Sequence, residues 1–224
     1  IAKLSEVDIT NKAMEIILAK SVSGNEEVDT LLIAITSMEG NEIRDLLWTY
    51  DKRFTLRELY SNILIPLLIK MGELWQTNSI SVAHEHHFSN ILRDFYILKI
   101  NDLEVKKPNN KTVVLFLPEH EEHELSLLYF QYLLKEAGYK CIYLGKKVPL
   151  SDLAVSIKQI NPDLVVTNMI SRMQQKELTL FFDQLLKSCE NAEIRIGGSF
   201  CSEIQNHIPR KIKFITSEDE LLAS

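Results

Sequence analysis

The chain has 224 residues, 46% hydrophobic and 25% charged, the balance of a folded globular protein with room for one large domain or two small ones. Lysine and arginine number 25 against 31 aspartate and glutamate, a formal charge of −6, which argues against a broad phosphate-binding surface on this chain. Cys141, Cys189 and Cys201 are widely spaced, odd in number and form no CxxC or other zinc pattern, so a reducing, cytoplasmic setting is expected. No apolar run reaches the roughly 18 residues of a transmembrane helix, so no membrane partner is expected.

From Ser5 to about Asp102 the apolar residues recur at three and four, the period of amphipathic helices. Ile9, Met14, Ile17 and Leu18 make a first stripe, and Val28, Leu31, Leu32 and Ile35 a second. A third, between Asn41 and Phe54, contains Leu46 and Leu47. The fourth runs from Leu56 to Trp75, with Pro66 inside it as an expected kink or boundary. The fifth begins near Val82 and continues through Phe88, Ile91, Leu92, Phe95 and Leu98.

A polar linker, Lys106-Lys107-Pro108-Asn109-Asn110, then separates a helical domain (1–105) from a second domain (111–224) with a different rhythm. Strands are predicted at Thr112–Leu117, Cys141–Leu144, Leu164–Thr167 and Ile194–Ile196, with Ile212–Ile215 as a candidate fifth. Helices are predicted between them at Leu125–Ala137, Leu150–Ile160 and Lys176–Cys189, the first ending at Gly138 as a C-cap. Short strands alternating with longer helices read as βαβ units on a parallel sheet. Ligands bind such sheets at the carboxyl ends of the strands.

Two clusters carry chemistry. The loop after the first strand reads Pro118-Glu119-His120-Glu121-Glu122-His123-Glu124. Neutral imidazole suits a borderline metal, and Glu121 could accept the second ring N–H of His123 and fix its tautomer. An exposed charged loop is the alternative; zinc is another, although His120 and His123 lack the HExxH helix spacing. The second cluster is Trp75, nine intervening residues, then Glu85-His86. Alone it could be a core tryptophan and a solvated helix start, or a zinc chelate of His84, His86 and His87 without cysteine support. No GxSxG elbow and no Gly-rich phosphate loop is present, which sets aside the serine hydrolases and the P-loop and GxGxxG nucleotide binders.

Together the two clusters resemble the cobalamin-binding regions of CarH-type, MerR-family transcriptional regulators, over nearly the whole chain. That family carries Trp-x9-Glu-His in a helical bundle, as at Trp75 and Glu85-His86 here. It carries Glu-x-His-x-x-Gly after the first Rossmann strand, which here reads Glu121-Glu122-His123-Glu124-Leu125-Ser126. Gly138-Tyr139 and Tyr143-Leu144-Gly145 are also similar to this group. Thr167-Asn168-Met169 falls where cobalamin folds have Ser-x-Leu or Ser-x-Thr, and Gly197-Gly198 where they have paired glycines.

The resemblance implies a helical bundle followed by a Rossmann or flavodoxin-like parallel sheet with flanking helices (α + α/β), binding cobalamin, with adenosylcobalamin the expected form. It implies His123 as the lower cobalt ligand, replacing the cofactor's own dimethylbenzimidazole, with Glu121 orienting it. Thr167 would hydrogen-bond the buried base or its loop, and Gly197 and Gly198, lacking Cβ, would let the nucleotide tail pass. Trp75, Glu85 and His86 would cover the upper face, the helical half serving as lid. A sensor without enzymatic activity is implied, self-associating as dimer or tetramer and binding DNA through an N-terminal domain outside this chain. Ile1-Ala2-Lys3-Leu4-Ser5 resembles the end of such a winged-helix domain.

Three positions depart from the pattern. Ser126 replaces the family glycine, Thr167 replaces serine, and Gln76 stands where light-responsive members carry a histidine that ligates cobalt after illumination. Two alternatives follow: a corrinoid carrier of a methyltransferase, whose loop has Asp-x-His-x-x-Gly, and a degenerate regulator that no longer binds cobalamin.

Overall fold

Asn25 starts the first described helix, α1 (Glu26–Thr36), by accepting the N–H groups of Glu27 and Val28 on its Oδ1 at 3.1 and 3.2 Å. The computed structural model describes residues 24–105 and 107–223, and the chain divides into two compact units between Phe95 and Tyr96. The stripe from Ile9 to Leu18 lies outside the described residues.

In the first unit, α1 buries Val28, Leu31, Leu32 and Ile35, and α2 (Gly40–Asp51) buries Ile43, Leu47 and Tyr50. A reciprocal cap between Thr55 and Glu58 opens α3 (Leu56–Leu59), which runs through a π-helical turn (Tyr60–Leu64) into α4 (Ile65–Gln76). The expected kink at Pro66 takes this form. Proline cannot donate to the carbonyl four residues back, and that carbonyl, of Asn62, accepts the side-chain amide of Asn25 at 2.9 Å instead. One asparagine thus caps α1 and satisfies the π-turn. α5 (Val82–Asp102) turns Phe88, Ile91, Leu92 and Phe95 inward, with Phe95 edge-on to Trp48 at 5.0 Å.

The second unit is a five-stranded, all-parallel sheet in the order β2-β1-β3-β4-β5. Its strands are β1 (Thr112–Pro118), β2 (Lys140–Val148), β3 (Leu164–Asn168), β4 (Glu193–Gly197) and β5 (Ile212–Phe214). Between them run α6 (Leu125–Glu136), α7 (Leu150–Ile160), α8 (Gln175–Ser188) and α9 (Ser199–Glu203), and α10 (Glu218–Leu222) follows β5. β1 and β3 are buried along almost their whole length, as unbroken Val/Leu/Phe runs must be when helices cover both sheet faces. The expected doubly wound architecture, fifth strand included, is what is observed.

β2 is longer than the four residues expected. Gly145-Lys146-Lys147 reads as a strand break, but an edge strand absorbs it: register slips against β1 at Leu115/Phe116 and Phe116/Pro118, and Gly145 and Lys147 adopt positive φ. Strand order reverses between β1 and β3, so the loops after these two strands flank the switch point where such sheets bind ligands.

Candidate functional site

The loop after β1 is built around one carboxylate. Glu121 has no exposed surface. Its Oε1 accepts the N–H groups of Glu122 (2.9 Å) and His123 (3.0 Å), the Ser171 hydroxyl (3.2 Å) and Nδ1 of His123 (2.5 Å). Its Oε2 accepts the N–H groups of Ile170 and Ser171, both at 2.7 Å, from the loop after β3. The side chain therefore staples the two loops that flank the switch point. Burial alone would raise its pKa; the bonds from His123, Ser171 and Ile170 outweigh that and hold the carboxyl well below the usual carboxylate range. An ionised carboxylate only accepts, so Nδ1 of His123 donates and Nε2 is the ring atom through which this imidazole would meet a metal. The ring is 57% exposed. Its neighbours are braced as well: buried Glu124 accepts the Tyr143 hydroxyl (3.1 Å) and pairs with Lys146 (3.0 Å), while Lys147 pairs with Glu122 (2.7 Å). The irregular end of β2 is what brings these lysines to the loop.

In the helical unit, Trp75 stands in the last turn of α4 with 52% of its surface exposed, so it is not a core tryptophan. Glu85 and His86 lie in the first turn of α5, their side chains 2.5 Å apart and both open to solvent. Three residues before Trp75 is Gly72, where an added Cβ would meet nothing within 4 Å among the described residues. A mid-helix glycine costs about 1 kcal/mol against alanine and has no packing reason among the described residues, a feature of the surface beside Trp75 that motif reading missed. The histidines nearby do not converge. His84 turns back on Ser81 (2.8 Å), and His87 packs against Gly40. Among the described residues no three His, Cys, Asp or Glu side chains form a metal-holding group, so the zinc alternative gains no support. His120 does not join His123 either, lying edge-on to Phe181 at 6.4 Å.

The ends of β3 and β4 distribute the remaining residues. Asn168 is in register with Gly197, and Thr167 with Ile196. Alternation along a strand puts Thr167 and Asn168 on opposite sheet faces. Thr167 therefore lies on the side of Ile196, which belongs to the core cluster with Leu178 and Phe181, its buried hydroxyl without a partner among the described residues, and Asn168 is the polar residue on the side of Gly197. A Cβ built on Gly197 would stand 3.1 Å from Asn168 Oδ1 and 3.0 Å from the ring of Phe130 in α6. Gly198 differs from its neighbour. Its φ is +105° and a Cβ there would sit 2.1 Å from the carbonyl oxygen of Met169, so it is glycine to let two backbones close up. Ser126 is half-buried at the second position of α6.

Residues 27–95 match the sequence model of the B12 binding domain family. Over 137 residues, 61% of this chain, the sequence is 27% identical to the HTH-type transcriptional repressor CarH of Myxococcus xanthus. The chain spans only 45% of that relative's length. In fold it is similar to the Methanosarcina barkeri monomethylamine corrinoid protein, with a TM-score of 0.70 and 14% identity across 88% of this chain and 95% of that one. This last likeness is one of architecture.

The chain's own residues fit a corrinoid. An exposed imidazole is held by a buried carboxylate, a glycine face carries no Cβ, and a fully buried asparagine beside it has neither Oδ1 nor Nδ2 hydrogen-bonded among the described residues. Buried polar atoms are rarely left so unless something else pairs with them.

Proposed function

We propose that the chain is the cobalamin-binding sensor region of a MerR-family transcriptional regulator, with residues 1–105 as cap and 111–224 as cofactor domain. The observation that carries this reading is the Glu121–His123 pair. His123 Nε2 would hold the cobalt, and Glu121, ionised and itself immobilised by both switch-point loops, fixes the imidazole's tautomer and direction. Gly197, beside Gly198, would give the displaced nucleotide tail its path, and Thr167, whose buried hydroxyl has no hydrogen-bond partner among the described residues, would bond the tail base or its loop. Trp75, Glu85 and His86 cover the upper face, Trp75 with its exposed ring and Glu85 by fixing His86. When bound, adenosylcobalamin would supply a cobalt–carbon bond that light can break; Gln76, a poor cobalt ligand, stands where light-responsive members carry a histidine. The output is a change in self-association that controls DNA binding by a domain outside this chain. Similarity to the CarH repressor supports the regulatory half of the reading.

The test is gel filtration of the purified chain after incubation with adenosylcobalamin in darkness and again after illumination. A coloured protein peak whose elution differs from that of the apoprotein is expected; a colourless peak overturns the proposal. Replacing His123 by alanine should leave a bound cofactor with a spectrum lacking an axial nitrogen ligand, and an unchanged spectrum rejects His123 as that ligand.

A second reading is a corrinoid carrier for a methyltransferase, favoured by the fold-level likeness to the methylamine corrinoid protein. It predicts methyl transfer to the bound cofactor by a partner enzyme, with no change of oligomeric state.

A further inference from the structure

The proposed function brings a nucleotide tail to the end of β4, and the kind of base that tail carries, which rests on that reading, is set by the residues around it. Asn168 ends β3 with no exposed surface, and neither polar atom of its amide has a partner among the described residues. It shares the sheet face of Gly197, where its Oδ1 and the ring atoms Cε2 and Cζ of Phe130 lie 3.1, 3.0 and 3.1 Å from the point a Cβ would occupy. Phe130 is only half-buried, so its ring can turn aside as a base enters and then flank it. That face therefore sets an aromatic ring beside an amide that presents one donor group and one acceptor.

We propose that Asn168 selects a cobamide whose tail base offers an acceptor and a donor side by side, as adenine does through N1 and its N6 amine, over one whose base is dimethylbenzimidazole. Asparagine meets that adenine edge with two parallel hydrogen bonds. A sugar-linked dimethylbenzimidazole has one ring nitrogen to accept with and no N–H to give, so it leaves Oδ1 of Asn168 buried and unpaired. A site built to hydrogen-bond its ligand discriminates most strongly against an analogue lacking the partner group.

The experiment titrates the full chain, by absorbance, with three aquo-corrinoids: one with an adenine tail, one with a dimethylbenzimidazole tail, and cobinamide, which has no tail base. The two bases also differ in how firmly they hold cobalt in free solution, so the deciding quantity is how the ratio of their Kd values changes between wild type and variant. In the wild type the adenine-tailed cobamide binds more tightly. In Asn168→Leu, close in size but apolar, the ratio falls by about tenfold or more, while cobinamide binding is unchanged. Should Asn168→Leu not fold, Asn168→Ser, with a single hydroxyl, must lower the ratio in the same direction. A ratio that stays the same in a folded variant overturns the inference alone. Failure of the wild type to bind any of the three overturns the cobalamin reading and the inference with it.

Discussion

Two glutamate–histidine pairs in this molecule share a 2.5 Å contact and differ in everything around it. Glu121 has no exposed surface and takes hydrogen bonds from two loops, while Glu85 is 41% exposed and, among the described residues, otherwise accepts only from Ser89 within its own helix. The same pair of side chains is a fixed element in one place and a surface contact in the other. The first positions its imidazole by sharing the fate of the fold; the second can rearrange around whatever approaches it. The comparison is sharpest in the response to losing the carboxylate. Glu121→Ala strands the N–H groups of Ile170 and Ser171 and loosens both switch-point loops, so unfolding in urea should show a loss of about 4 kcal/mol. A loss below about 1 kcal/mol would mean that water replaces the carboxylate and that the loops are not held by it.

The paired glycines offer a second contrast between two kinds of constraint. Gly198→Ala forces a side chain into φ +105° and against the Met169 backbone, neither of which can yield cheaply, and should cost about 3 kcal/mol of stability. Gly197→Ala meets only the movable ring of Phe130 and the Asn168 amide and should cost less than about 1 kcal/mol, read by the shift in thermal midpoint. Under the proposed function the order reverses for the ligand. Gly197→Ala narrows the tail's path and weakens cobalamin binding more than its stability cost suggests.

The pH response of Glu121 tests the electrostatic half of the comparison. Its folded pKa is depressed, so its contribution to stability is complete above the unfolded value of about 4.3 and is lost as pH falls below it towards the folded value. The stability gap between wild type and Glu121→Gln should be constant near neutrality and shrink under acid, below about pH 4. A gap that persists unchanged in acid would show that shape, not charge, holds the loops together.

How much of this was legible in the residues depends on how local each signal is. The strands from Thr112 to Phe214 announce themselves because a buried parallel strand is an unbroken apolar run, and the Glu121–His123 pair because its partners are two residues apart. The donors on Ile170 and Ser171 lie about fifty positions further on, and nothing in their identity marks them, since any backbone N–H would serve. Thr167 and Asn168 illustrate a finer limit. Which of two adjacent polar residues faces α6 is set by register against Gly197, and a one-residue step moves a side chain to the other sheet face. The π-turn before Pro66 was legible only as a disturbance, because its form depends on the distant amide of Asn25.

The smallest expected effect bears on the weaker of the two pairs. Glu85→Gln removes a charge from a contact in which both side chains are open to water, so screening and side-chain entropy already cancel most of its attraction. Gln can still hydrogen-bond His86 and Ser89, and unfolding stability should change by less than about 0.5 kcal/mol. Under the proposed function the change should instead appear in the cofactor: adenosylcobalamin bound to the variant should lose its adenosyl group at a different rate under illumination, because the imidazole of His86 is no longer held by a carboxylate. A substitution that alters photolysis without altering stability separates a surface arranged for a ligand from one arranged for the fold. If it alters neither, the Glu85–His86 pair is a helix-start contact and only Trp75 remains to mark that surface.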